Sequence, residues 1–292
     1  MKLLISGLIL LSVIYSVSSV VFTSSVIKHL ANGTCGISTG APLVQQLTAT
    51  VTYAGGLFWA DDGAKIAYID RYVPAYGRYT PNNGRFNHMS IDGGKETIAI
   101  FPIKNATGLK FVIGLDRRLV LSVVTGTGNS LNSTIYPLIT VSNKTNEKFM
   151  KGKIDANGRL WYSSSDGLLN NKANRRIVFE KCNHTELAGK PFDIVLDSSG
   201  YIWIGLLHGG AVIQYDEVTG NILWIIAIPA SDIISLEFGG LDKKTMYVGT
   251  SKQYLHNTAA QPAAGSILSV SGLGYNGICD NDIVIPDKYS NL

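Results

Sequence analysis

One motif returns along this chain at blade-like intervals. A polar turn rich in Asp and Gly leads into a five- or six-residue strand that ends in small or polar residues. It reads Asp61-Asp62-Gly63-Ala64-Lys65 then IAYID, and Asp116-Arg117-Arg118 then LVLSVV. It recurs as Asp155-Ala156-Asn157-Gly158-Arg159 then LWYSSS, Asp197-Ser198-Ser199-Gly200-Tyr201 then IWIGLL, and Asp242-Lys243-Lys244-Thr245 then MYVGTS. Asp62, Asp116, Asp155, Asp197 and Asp242 are spaced by 54, 39, 42 and 45 residues. A period of about 40–50 residues, with room for several strands in each unit, is the signature of a β-propeller. A sandwich would show turns about every 8–12 residues without the longer period. Past the first twenty or so residues, no apolar i, i+3, i+4, i+7 pattern persists, so the fold class is all-β. One hairpin is explicit: AVIQYD, the turn Glu217-Val218-Thr219-Gly220, then ILWIIAI.

Composition agrees with one large packed domain. With 46% hydrophobic and 16% charged residues, the chain is too apolar for disorder. Its 292 residues suit a single propeller, since such a domain takes roughly 250. The 25 basic and 21 acidic side chains leave a net charge of +4 with no concentrated basic stripe. That excludes a nucleic-acid footprint.

The start, MKLLISGLILLSVIYSVSSVVF, has one Lys and an apolar run from Leu3 to Val17. The run is short of the ~20 residues a membrane span needs, so it reads as a signal peptide cut after Ser19. The expected product is secreted, with no membrane span after cleavage. Its expected plan is a signal peptide 1–19, an N-terminal extension 20–44, a propeller 45–280 and a tail 281–292. Five N-x-[ST] sequons, at Asn32, Asn105, Asn132, Asn143 and Asn183, fit an exported glycoprotein. Cys35, Cys182 and Cys279 allow one bridge and leave one thiol over. A Cys35–Cys279 bridge would staple the chain ends of a circular fold. Three free buried thiols is the other reading.

The stretch Gly189–Ser251 resembles the senescence-marker-protein, gluconolactonase and regucalcin family, which includes luciferin-regenerating enzymes. The resemblance rests on Gly209-Gly210-Ala211-Val212-Ile213-Gln214-Tyr215-Asp216 with Thr219-Gly220, and on Phe238-Gly239-Gly240-Leu241-Asp242 with Met246-Tyr247-Val248. Gly152-Lys153-Ile154-Asp155 with Gly158-Arg159-Leu160-Trp161, Gly56-Leu57-Phe58-Trp59, and Ala264-Gly265-Ser266-Ile267-Leu268 add to it. The resemblance covers roughly residues 45–275 and is strongest in the last third. It implies a six-bladed propeller whose channel mouth holds calcium or another divalent cation for lactone hydrolysis. The family's ligands are the Glu of G-E-G-P, the Asn of S-N-G-L and the Asp of P-D-G-x-x-x-D, the last also its proposed base.

Each ligand position differs here. Gly55 stands where the Glu would be, and Phe192 where the Asp would be. S-N-G-L has no counterpart, and the N-D-G-K of the substrate side reads Met150-Lys151-Gly152-Lys153. Calcium takes six to eight oxygens, so no metal ligand is retained and no cofactor is expected. Asp193, next to Phe192, is a weak candidate for a catalytic or ligand carboxylate, because a one-residue shift turns a strand side chain to the opposite face. Asp155 and Asp197 are only 42 apart, leaving room for a hairpin where the family has a whole blade. About five blades remain recognisable.

Elsewhere, His208 precedes Gly209-Gly210 at a hairpin entry, where a turn role is simpler than catalysis. The other histidines have no metal-ligand spacing, and no nucleophile motif is present. The expectation is a secreted, monomeric, catalytically degenerate propeller that binds an unidentified extracellular ligand or protein. The alternative is a calcium-dependent lactone hydrolase with a rebuilt site using Asp193 and Asp61 or Asp62.

Overall fold

The computed structural model describes residues 21–23, 26–29, 35–38, 42–60, 65–70, 75–80, 85–90, 97–103, 109–115, 117–125, 132–140, 148–154, 160–165, 179, 184–185, 187–253, 261–278, 283 and 285. The expected signal peptide 1–19, Asp61, Asp62, Cys182, Cys279 and the sequons at Asn32, Asn105, Asn143 and Asn183 lie outside them. Asn132 opens a strand, and Cys35 opens another.

The described strands form antiparallel groups in chain order. The first is β5 (Ala54–Ala60), β6 (Lys65–Asp70), β7 (Ala75–Thr80) and β8 (Arg85–Ser90). The second is β9 (Thr97–Pro102), β10 (Leu109–Leu115), β11 (Arg118–Thr125) and β12 (Asn132–Thr140). A hairpin follows, β13 (Lys148–Ile154) with β14 (Leu160–Ser165). Then come β15 (Lys190–Leu196), β16 (Ile202–Leu207), β17 (Ala211–Asp216) and β18 (Asn221–Ala227). The last group is β19 (Asp232–Gly239), β20 (Thr245–Ser251) and β21 (Ile267–Ser271), completed by β4 (Leu43–Gln46) from the other end of the chain. Outside these, β1 (Val21–Thr23) pairs with β4, and the hairpin of β2 (Val26–His29) and β3 (Cys35–Ser38) pairs with β18. The first strands of successive groups pack on one another: β5 on β9 and β19, β9 on β13, and β15 on β19.

The repeat is more regular than its Asp spacing. Asp116-Arg117-Arg118 leads into β11, a third strand, whereas the other four motifs lead into second strands. The second strand of that group is β10. Second strands therefore start at Lys65, Leu109, Leu160, Ile202 and Thr245, at intervals of 44, 51, 42 and 43. LVLSVV and KFVIGL are both strand-like apolar runs, and period alone cannot rank them.

The read hairpin is present as β17–β18, with Gly220 at φ 74° closing its turn. Asp216 holds that turn, its Oδ1 accepting from the Val218 N–H at 2.9 Å and its Oδ2 from the Thr219 hydroxyl at 2.8 Å. Those bonds hold its carboxyl below the ordinary carboxylate value.

The motif Asp197 is fully buried and structural. Its Oδ1 accepts from the Ser199 and Tyr201 N–H groups at 2.9 and 3.1 Å. Its Oδ2 accepts from the Trp203 indole at 2.8 Å and the Gln214 amide at 3.0 Å. One carboxylate thus ties the turn before β16 to two neighbouring strands. Trp203 is itself fully buried in a core shared by the last two groups, with Val212, Ile226, Ile233, Phe238 and Val248. A second core joins the first two groups through Phe58, Ile69, Ile100, Val112 and Leu121. Close approach requires Gly249, where a Cβ would collide with the Ala54 carbonyl of the first group.

Candidate functional site

Each first strand breaks its ladder near its beginning. In β15, Pro191 pairs with Leu206 and Asp193 with Gly205, so Phe192 is the extra residue of a bulge. In β19 the extra residue is Ile234, between Ile233 and Ser235. In β13 it is Met150, between Phe149 and Lys151, and in β9 it is Ile98, between Thr97 and Ala99. In β5 the irregularity falls between Gly55 and Phe58. Bulges bend strands and re-aim side chains, and they gather next to functional sites. Here the four extra residues are Ile98, Met150, Phe192 and Ile234, none with an oxygen for a hard cation. Phe192 is half-buried and Ile234 is buried.

The residue after the bulge has a different use. The Asp193 Oδ2 accepts from the Leu236 N–H on β19 at 3.0 Å. One group on, the Ser235 hydroxyl accepts from the Leu57 N–H on β5 at 3.0 Å. A first strand is the inner edge of its sheet, and its outward N–H groups need partners when buried. Asp193 and Ser235 therefore latch adjacent groups side chain to backbone. The carboxylate read as a possible base is engaged in this latch.

Gly55 is buried, and a Cβ there would collide with Cε1 of Tyr53. The Tyr53 ring thus fills the space a ligand side chain at position 55 would need. Nearby, Asp70 is buried and its Oδ2 accepts from the Thr52 N–H at 2.9 Å. Burial, and then the Asp70 charge, push the Tyr68 hydroxyl well above its ordinary pKa. Among the described residues, no three His, Cys, Asp or Glu side chains meet in a way that could hold a metal ion. Among the described residues, the donor set does not fit the divalent cation that the resemblance implies.

At the same end lies a pair that sequence reading missed. Leu207 pairs with both Lys190 and Asp232, so the turn after β16 stands over the beginnings of β15 and β19. There the His208 Nδ1 is 2.8 Å from the Asp232 Oδ1, and the Ser231 hydroxyl donates to the same oxygen at 2.9 Å. His208 has φ 61°, the left-handed conformation expected of a turn residue. Its bond to Asp232 joins residues 24 apart in sequence, which no local motif could signal.

Residues 162–252 match the family described as SMP-30/Gluconolactonase/LRE-like region. This stretch is similar to that family. Rabbit regucalcin is 32% identical over 108 residues, which are 36% of this chain and 35% of that protein. Zebrafish regucalcin is 36% identical over 111 residues, 36% of each chain. The match thus spans about a third of the curated relatives' length. In three dimensions the likeness is broader. A luciferin-regenerating enzyme superposes with a TM-score of 0.72 at 18% identity, covering 84% of this chain and 100% of that one. A calcium-binding regucalcin from Agrobacterium tumefaciens gives 0.64 at 16%, covering 82% and 96%. The all-β fold is therefore that of the SMP-30/gluconolactonase propellers, as the repeat led one to expect.

Proposed function

We propose that this chain is a secreted propeller of the SMP-30/gluconolactonase family that has lost the family's metal-dependent lactone chemistry and works by binding an extracellular ligand or protein. The observation that carries this reading is the replacement of the donor set where the first strands begin. Tyr53 fills the space beside Gly55, Phe192 occupies a bulge, and the Asp193 carboxylate latches Leu236. A hard cation held by so few oxygens would bind weakly. About five blades remain recognisable, against the family's six, and on this reading the missing blade belongs between the β14 and β15 registers, in a five-bladed or an incompletely closed ring. Export follows from the apolar segment before Ser19, and glycans at some of the five sequons would keep their surfaces clear of partners.

Calcium and zinc titration of the purified protein, run beside lactone hydrolysis, tests the reading. The expected result is no micromolar binding and no metal-dependent turnover. Micromolar binding with turnover would overturn it in favour of a rebuilt lactonase site.

A further inference from the structure

The His208–Asp232 pair goes beyond a binding role. Asp232 is 1% exposed, whereas the His208 side chain is 53% exposed. The second oxygen of Asp232, Oδ2, is buried and makes no hydrogen bond among the described residues. Burying a carboxylate is costly unless it is paired and hydrogen-bonded, and here only Oδ1 is served. A carboxylate so placed keeps its acceptor strength for the imidazole. Because an ionised carboxylate can only accept, the His208 Nδ1 donates to it, which leaves Nε2 of the neutral ring as the acceptor of a side chain that is 53% exposed. A carboxylate that fixes the tautomer and orientation of an imidazole is the working half of a general-base arrangement.

We propose that His208 is a metal-independent general base for water attacking activated acyl esters, with Asp232 as its positioning residue. Nε2 takes a proton from water as the water oxygen bonds to the acyl carbon. When the tetrahedral adduct collapses, the bond to the alcohol oxygen breaks and the imidazolium returns its proton to that oxygen. The products are one carboxylic acid and one alcohol, with no oxidant, reductant or metal involved.

The test is hydrolysis of p-nitrophenyl acetate by the purified full chain in excess EDTA. His208→Asn is the informative variant, since Asn tolerates the left-handed turn and still donates to Asp232. It preserves a purely structural role and removes only the base. The expected result is EDTA-resistant turnover that falls at least tenfold in His208→Asn, with its melting temperature unchanged. Asp232→Asn should lower kcat by a similar factor while KM stays near the wild-type value. Wild-type turnover in His208→Asn, or no turnover above a heat-denatured control, would overturn the proposal. Turnover abolished by EDTA and restored by calcium would overturn both this proposal and the loss of metal chemistry. EDTA-resistant, His208-dependent turnover alongside tight calcium binding would sink only the latter.

Discussion

At the scale of single residues, several of the described carboxylates hold the fold. Asp197 is one of them. Removing it would strand the Trp203 and Gln214 donors in the interior, each a penalty of about 1–3 kcal/mol. Asp197→Ala should therefore lose about 3 kcal/mol or more in urea unfolding. Asp216 belongs to the same kind but sits in solvent. Its carboxyl should titrate below the ordinary value by NMR, and Thr219→Val should raise it toward that value. Because the folded pKa is depressed, its contribution is present above the ordinary carboxylate range and disappears as pH falls through the folded midpoint. That neither Gly55 nor Phe192 offers a side-chain oxygen could be read from residue identity. The Tyr53 ring over Gly55 could not, because nothing in a lone Tyr two positions away reports its rotamer.

Between elements, the decisive feature is the bulge shared by the first strands. Local sequence gives no sign of it, because Ile98, Met150, Phe192 and Ile234 are ordinary strand residues. A bulge is set by what the partner strand and neighbouring sheet demand. It places Asp193 and Ser235 where each reaches the next strand's backbone. Ser235→Ala should leave the Leu57 N–H buried and unpaired, costing about 1–3 kcal/mol. Asp193→Ala should do the same at Leu236, with at least as large an effect because its acceptor is charged. Thermal melts of both variants would check this; a melting temperature unchanged in both would contradict the latch. By contrast, β17–β18 was legible down to its turn, since Thr219-Gly220 after an Asp is turn chemistry acting within four residues.

For the whole molecule, the circular all-β plan was legible because a repeat near 40–50 residues is a property of the entire chain. The closing strand was not: Leu43–Gln46 is four residues with no marked pattern, and only its partner gives it a role. β4 covers the edge of β21, which would otherwise offer open N–H and C=O groups to other chains. Deleting residues 20–46 should therefore lower the melting temperature and produce concentration-dependent association. Light scattering and size-exclusion chromatography across a dilution series would show it, and a monomeric, equally stable product would contradict it.

That closure also sets an order in time. Val44 waits for Val270, its partner across the ladder. At translation rates of about 5–20 residues per second, the wait is on the order of ten to forty-five seconds. Throughout it, the earlier groups can fold from local contacts while the ring stays open. Its final pairing is a long-range contact of the slow kind. A nascent chain of this protein therefore has its longest exposure at the seam, and help from the folding machinery of its compartment would matter most there.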